Sequence, residues 1–274
     1  MMAELDIAAL ANALQEAAAR EILPRFRKLG EGDVRMKTEA IDLVTEADEA
    51  SEQLIRERVA EVMPDAVFIG EEAVAADPAL LEKIADAELA VIVDPIDGTF
   101  NYAAGLPLFG VMLSVVARGE TVAGIIYDPM GNDWLIAEKG SGAWLCGPDG
   151  SQTQMAIAPS VPLDQMVGIA ALTYLDKAAK RQILSNLAEV RLFTSYRCSA
   201  HEYRTFAAGH LHFLMYKKLM PWDHLAGSLI SQEAGAHVAR LDGSPYLPHN
   251  FEGGLLIAPD RDSWQELRDK VFVL

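Results

Sequence analysis

The chain has 274 residues, 51% of them apolar, which is enough to bury one large core or two lobes that share an interface. Its 23 basic residues stand against 40 acidic ones, a formal charge of −17 that disfavours nucleic acid, because a polyanionic partner demands clustered Lys and Arg. A small anionic substrate stays compatible with this charge if bound cations reverse the field locally, and surplus carboxylates are one way to hold them.

From about residue 5 to 29, apolar positions at Leu5, Ala8, Ala9, Leu14, Ala18 and Ile22 recur at helical spacing, with a break or kink expected at Pro24. A polar, glycine-containing loop follows from Gly30 to Ala40. Thr45 and Asp48 then form a capping-box pattern that opens a second amphipathic helix through Ser51, Leu54, Ile55, Val59 and Val62, closed by Pro64. The runs Val67-Phe68-Ile69 and Leu89 to Val93 are too short for helices and read as buried strands, each ended by acidic residues. Two hairpins follow, one turning at Arg118-Gly119-Glu120 between Val111 to Ala117 and Thr121 to Tyr127, the other near Gly140-Ser141-Gly142. Beyond them, strand-like runs at Val167 to Ala171, Leu211 to Tyr216 and Leu255 to Ala258 alternate with helical stretches near Lys177 to Val190 and Asp223 to Ala234. The Gly, Pro and polar stretch from Gly147 to Pro162 is the candidate boundary between two lobes. Cys146 and Cys198 lie far apart without a C-x-x-C and read as reduced thiols. With no secretory pattern at Met1 to Asp6 and no apolar run of membrane-spanning length, a cytoplasmic protein without a membrane partner is expected.

Chemistry concentrates at Asp94-Pro95-Ile96-Asp97-Gly98-Thr99, directly after a predicted buried strand. Pro95 stiffens the segment, so Asp94 and Asp97 are expected on one tight turn where they can share hard cations. The amides of Gly98 and Thr99, at the start of a following helix, would receive an anion. Taken alone, such a run is ordinary turn chemistry. Further acids stand at Glu71 and Glu72 after the other strand and at Asp223 where a helix begins; singly they read as solvated loop acids and a helix-start carboxylate.

In combination these segments resemble the inositol monophosphatase family, which also includes bacterial fructose-bisphosphatases, histidinol phosphatases and nucleotide phosphatases. The matching pieces are Asp42-Leu43-Val44-Thr45-Glu46-Ala47-Asp48, Ile69-Gly70-Glu71-Glu72, Asp94 to Tyr102, and Pro221-Trp222-Asp223-His224-Leu225-Ala226-Gly227, in the family's order and at similar spacing. The resemblance implies a layered αβαβα sandwich of the inositol monophosphatase and fructose-1,6-bisphosphatase type, an α+β or α/β fold with the site between its lobes. An N-terminal α+β lobe, residues 1–146, would carry Glu71, Asp94, Asp97 and Thr99, and a C-terminal α/β lobe, residues 147–274, would carry Asp223, the two forming one catalytic unit.

The same resemblance implies that Glu71, Asp94 and the Ile96 carbonyl hold one metal, that Asp94, Asp97 and Asp223 hold a second, and that a third ion sits near Glu71. All-oxygen ligands suit Mg²⁺, with Mn²⁺ as an alternative, and argue against zinc. Thr99 and Glu71 would orient the attacking water, Asp48 would support Thr99, and the Gly98 and Thr99 amides would hold phosphate oxygens, with no covalent phosphoenzyme. Asp97, Asp223 and Tyr216 would border the substrate, a small phosphorylated metabolite. Lithium sensitivity and a homodimer belong to the same expectation.

The haloacid-dehalogenase alternative fails on the residues: its nucleophilic aspartate would have to be Pro95. Serine-hydrolase, dinucleotide-binding and P-loop motifs are likewise missing. The chain departs from the family pattern where members that accept inositol phosphates carry an acid before the W-D motif; Tyr216 stands there, which argues against inositol itself. Fructose-1,6-bisphosphate, histidinol phosphate and a 3′-phosphonucleotide are the alternatives, and Lys217 and Lys218 could meet a second anionic group. As unaided residues, Lys37, Lys217 and Lys218 read as solvated, and His224 as a helix-surface or supporting residue. From another class, the rival reading is a regulatory binding protein without catalysis, against which the complete set of metal acids argues.

Overall fold

The computed structural model describes residues 5–30, 32–37 and 42–273. The expectations for Met1 to Glu4 and for part of the Gly30 to Ala40 loop therefore lie outside the described residues.

Asp6 caps the first helix, α1 (Ile7–Ala17), by accepting from the Ala9 amide. The helix widens into a π-helical turn over Ala18–Ile22, where the Leu23 amide reaches back to Ala18 O. Pro24, which lacks an amide to continue the ladder, follows at once. Leu10, Ala13, Leu14, Ala17 and Ile22 form its buried stripe, whereas Ala8, expected inside, is exposed. Two short strands pair antiparallel, β1 (Val34–Met36) within the stretch read as loop and β2 (Leu43–Thr45) after it. The Thr45/Asp48 capping box is complete and opens α2 (Glu46–Val62).

The chain then runs through β3 (Val67–Gly70), α3 (Glu71–Ala76), α4 (Lys83–Asp86), β4 (Leu89–Asp97) and α5 (Thr99–Ala103). A meander follows: β5 (Gly110–Ala117), β6 (Glu120–Asp128), β7 (Asp133–Glu138), β8 (Ala143–Cys146) and β9 (Gln152–Gln154). Strands β3 to β9 form a seven-stranded sheet in sequence order, parallel only between β3 and β4. The remainder comprises β10 (Val167–Ala170), α6 (Lys177–Asn186), β11 (Leu192–Thr194), α7 (Ser199–Ala207), β12 (Phe213–Tyr216), α8 (Pro221–Glu233), β13 (His237–Arg240), β14 (Leu255–Ala258) and α9 (Arg261–Lys270). Its five strands take the order β11-β10-β12-β14-β13.

Side-chain alternation along the strands sorts these elements into five layers. Val91 and Val93 of β4 with Val111, Leu113 and Val115 of β5 pack against α1 and α2 through Leu14 and Ile55. Their alternates face the other way: Ala90 and Ile92 meet Trp222 and Leu225 of α8, while Met112 and Ile126 meet α7, α8 and the second sheet. Leu214, Leu255 and Ile257 close that middle layer from the second sheet. Phe213, Met215, Leu256 and Ala258 point outward under Ile183 of α6 and Trp264 and Leu267 of α9. The result is the expected αβαβα sandwich. β5 is buried along its whole length because both of its faces are covered, so its sequence reads as an apolar run interrupted only by Ser114.

The middle helices sit close because glycines permit it. A Cβ on Gly227 of α8 would stand 2.1 Å from the Tyr203 ring of α7, and one on Gly124 of β6 would stand 2.8 Å from Ala226 O. Gly227→Ala should therefore lower the urea midpoint by the equivalent of about 1–3 kcal/mol, since the Tyr203 ring is boxed in by packed neighbours. An unchanged midpoint would mean that α7 and α8 tolerate a wider crossing.

Candidate active site

β4 pairs with β5 from Leu89 through Asp94, slips, and resumes at Asp97 opposite Gly110. The segment expected as a tight turn is thus the bulged end of a strand: Pro95 has no amide for the ladder, and the irregularity falls where that donor is missing. Asp94, Ile96 and Asp97 are all buried there, and Asp94 Oδ1 accepts from the Ile96 amide at 3.0 Å. Gly98 follows with φ of +90°, a left-handed conformation, and a Cβ on it would meet Leu108 O and Cys198 Cβ at 3.1 Å. Glycine is needed for both reasons. Thr99 begins α5 directly after it, and its hydroxyl lies within donating distance of Asp48 Oδ1 (3.0 Å) and Ile96 O (2.9 Å). Asp48 Oδ2 in turn accepts from the Thr45 amide and hydroxyl, so one carboxylate caps α2 and restrains Thr99.

Asp223 enters from the other half of the chain as the third residue of α8, behind Pro221. Ligand-type oxygens of Asp94, Asp97 and Asp223 lie within 4.8 Å of one another. Asp97 Oδ2 is fixed by the Ala200 amide of α7 at 2.6 Å and by the Cys198 thiol at 3.0 Å. Glu71, the first residue of α3, stands outside this trio yet lines the same cavity of about 230 Å³. Its helix is anchored by Glu52, which accepts from the Glu72 and Ala73 amides at 2.7 and 3.0 Å. Gly70 leaves the space that the Glu52 carboxylate occupies.

Lys37 corrects the reading of a solvated lysine. Its ammonium pairs with Glu71 at 2.8 Å and Glu72 at 2.5 Å, and only 13% of its side chain is exposed. Two half-buried carboxylates side by side are stabilised by a cation between them. His224 is likewise not on a surface: Nε2–H donates to Lys218 O at 2.9 Å, Nδ1 faces the Tyr203 hydroxyl at 3.2 Å, and burial pulls its pKa down to about 4. It is a neutral packing residue. Tyr216, Lys217 and Lys218 line the cavity as a group, joined by Arg197, whose guanidinium lies over the Phe100 ring at 3.4 Å. Tyr174, in turn, has the Lys218 ammonium over its ring at 5.0 Å.

Arg197, Glu202 and Glu52 escaped the sequence reading. Glu52 carried a usable signal, because it shares the helical stripe of Asp48, Ile55 and Val59, where an acid needs an internal partner. Glu202 offered none, being one more charged residue on a short helix.

The acids are electrostatically expensive. Burial, followed by the negative field of Glu71 and Asp97, pushes the Asp94 and Asp223 carboxyls far above the ordinary carboxylate range. Burial raises Asp48 to about 7 against the pull of its Thr45 hydrogen bonds. Burial likewise raises Glu202 to about 7. A cluster of carboxylate oxygens with so little compensating positive charge has the donor chemistry of a site for hard divalent cations. The residues present fit such ions.

Two sheets closing on converging carboxylates, beside a left-handed glycine turn, define a layered α/β protein whose acidic cluster could bind metal. A family model described as the inositol monophosphatase family matches residues 3–271. A Thermotoga maritima protein named fructose-1,6-bisphosphatase/inositol-1-monophosphatase is 30% identical over 213 residues, 77% of this chain and 76% of that one. An inositol-1-monophosphatase of Caulobacter vibrioides is 29% identical over 93% of this chain and 96% of its own length. Among solved structures, the extragenic suppressor protein suhB of Bartonella henselae superposes with a TM-score of 0.82 at 25% identity, covering 97% of each chain. The chain belongs to the inositol monophosphatase family. Family and site together support a phosphatase whose substrate is a small phosphorylated molecule. No described helix is long and apolar enough to cross a membrane.

The raised carboxyls carry a sign. Between the ordinary carboxylate pKa near ~4 and their folded values, the folded chain holds more protons than the unfolded one, so stability falls as pH rises. In EDTA the melting temperature should drop from pH 5 to pH 8. Added Mg²⁺ competes with those protons and should raise it most at pH 8. A melting temperature indifferent to both variables would contradict this account of the cluster.

Proposed function

We propose that the protein is a Mg²⁺-dependent phosphomonoesterase that hydrolyses a small phosphorylated metabolite with water as the nucleophile. The observation that carries this reading is the convergence of Asp94, Asp97 and Asp223 within 4.8 Å, next to the Asp48-held Thr99 hydroxyl. Glu71, Asp94, Asp97, Asp223 and the Ile96 carbonyl would hold two or three Mg²⁺ ions, with Mn²⁺ a chemical substitute. When bound, such ions acidify water and neutralise charge on the attacking and departing oxygens.

The chain's own groups supply orientation. Asp48 accepts a hydrogen bond from the Thr99 hydroxyl, which leaves the Thr99 oxygen's lone pairs free to accept from the attacking water, with Glu71 as the water's second acceptor. Gly98, in its left-handed turn, exposes its amide and that of Thr99 to phosphate oxygens. Around the cavity mouth, Lys217, Lys218 and Arg197 add positive charge that favours a second anionic group on the substrate. A bisphosphate such as fructose-1,6-bisphosphate meets that description, and the Thermotoga maritima relative is named a fructose-1,6-bisphosphatase. A purely regulatory binding protein gains nothing from burying these mutually repelling acids.

Asp94→Asn should cut phosphate release by about 10²-fold or more while the melting temperature in EDTA holds or rises. Retained turnover in that variant would end the proposal. A panel of inositol-1-phosphate, fructose-1,6-bisphosphate, histidinol phosphate and adenosine 3′,5′-bisphosphate ranks the substrates, with the bis-anionic esters expected ahead. By family likeness we also expect inhibition by millimolar LiCl and, in light scattering, a particle of twice the chain's 29.8 kDa. A lithium-insensitive rate or a single-chain mass would remove the corresponding expectation.

A further inference from the structure

His224 packs inside the middle layer, 3% exposed, yet both of its ring nitrogens are engaged in directional bonds. Nε2 lies 2.9 Å from Lys218 O, and a carbonyl oxygen can only accept, so the ring hydrogen sits on Nε2. Nδ1 is then the acceptor, and the Tyr203 hydroxyl of α7 donates to it at 3.2 Å. The Tyr203 bond thus selects the tautomer that the Lys218 bond requires. An apolar side chain would fill the same space without either tie.

What this tie holds is a stretch of chain with no regular structure of its own: residues 217–220, between β12 and α8, form neither helix nor strand. His224 grips that arm at two points. Its ring centroid lies 4.4 Å from that of Tyr216, the last residue of β12, and its Nε2–H takes the Lys218 carbonyl two residues further on. The Leu219 amide, donating to Phe251 O at 3.3 Å, secures the next residue. Lys218 lines the cavity, and its ammonium lies over the ring of Tyr174, another lining residue, at 5.0 Å. Asp223, one of the three converging acids, immediately precedes His224 on α8 and lines the cavity as well.

We propose that His224 is a positioning residue: by clamping the arm that carries Lys218 to the helix that carries Asp223, it sets the span between the phosphoryl end of the site and a second anion, so that bis-anionic esters are selected by the separation of their charges. The inference rests on the phosphatase reading and deepens it. An arm held at two points has little freedom to follow a ligand of another length, so a preset span favours the substrate that matches it.

A series of α,ω-alkanediol bisphosphates from ethanediol to hexanediol, each beside its monophosphate, measures that span. The wild-type protein should favour one bisphosphate over its monophosphate by about tenfold in kcat/KM, with shorter and longer members falling off. His224→Leu keeps the apolar bulk without the bonds; it should flatten the length profile and raise KM for the preferred bisphosphate by about fivefold at nearly constant kcat. His224→Gln retains a donor for the Lys218 carbonyl and should restore the profile. Lys218→Met should flatten it too, and the double variant with His224→Leu should be no worse than Lys218→Met alone, because His224 acts through that lysine. Equal losses on bisphosphate and monophosphate would assign His224 a structural role and overturn the proposal, as would additive losses in the double variant or a wild-type protein without a preferred length. If His224→Leu does not fold, Tyr203→Phe takes its place in the same cycle with Lys218→Met, since it removes the bond that selects the tautomer. Absence of phosphate release from every ester removes the phosphatase reading and this inference together; release with a flat profile removes the inference alone.

Discussion

Carboxylates that repel one another are held together, two of them buried and the third half-buried, and the rest of the architecture follows from that constraint. Asp94 and Asp97 come from the end of β4, Asp223 from the start of α8, and packing forces their approach. The opposing repulsion is met by local donors: the Ile96 amide on Asp94, and the Ala200 amide and Cys198 thiol on Asp97. Helix α7 thus stands between the sheets as more than filler. Its close crossing with α8, permitted by Gly227, packs the helix that carries the Ala200 amide against the helix that carries Asp223. A wider spacing would relax the acids and dissolve the site.

A second tier of charge steadies the first. Glu71 carries the negative field that bears on Asp94 and Asp223, and Lys37 holds Glu71 against Glu72. Glu52 anchors the same short helix from behind by taking its first free amides, a role that the helix end demands because those amides have no internal partner. Asp48 does two jobs with two oxygens, one on the cap of α2 and one on Thr99. Each of these acids is satisfied by backbone or by a fixed side chain, so the electrostatic strain concentrates on Asp94 and Asp223.

The sequence disclosed whatever is locally encoded. The capping box at Thr45 and Asp48, both hairpins, and the strands at Val67, Leu89, Val167 and Leu255 depend on near neighbours and patterning, and they lie where the periodicity places them. The run from Asp94 to Thr99 was legible as a site because two acids, a proline and a glycine sit together. That it is a bulged strand was not legible, since the pairing resumes only through Gly110, a distant residue. The burial of Lys37 and His224 was hidden for the same reason. Their partners lie on other elements, and an isolated lysine or histidine says nothing of what will cover it. Arg197, in a left-handed conformation rare for its type, could be found only in three dimensions.

Helix α7 also ties the acidic cluster to the wall of the cavity. Its first turn fixes Asp97 through the Ala200 amide, and two residues further on it carries Glu202, which lines the same cavity. A shift of α7 would therefore move both acids together, because a helix transmits displacement along its axis with little loss. A change in the side chains by which α7 packs into the middle layer, such as Tyr203 or Phe206, would alter the acidic cluster and the cavity wall at once.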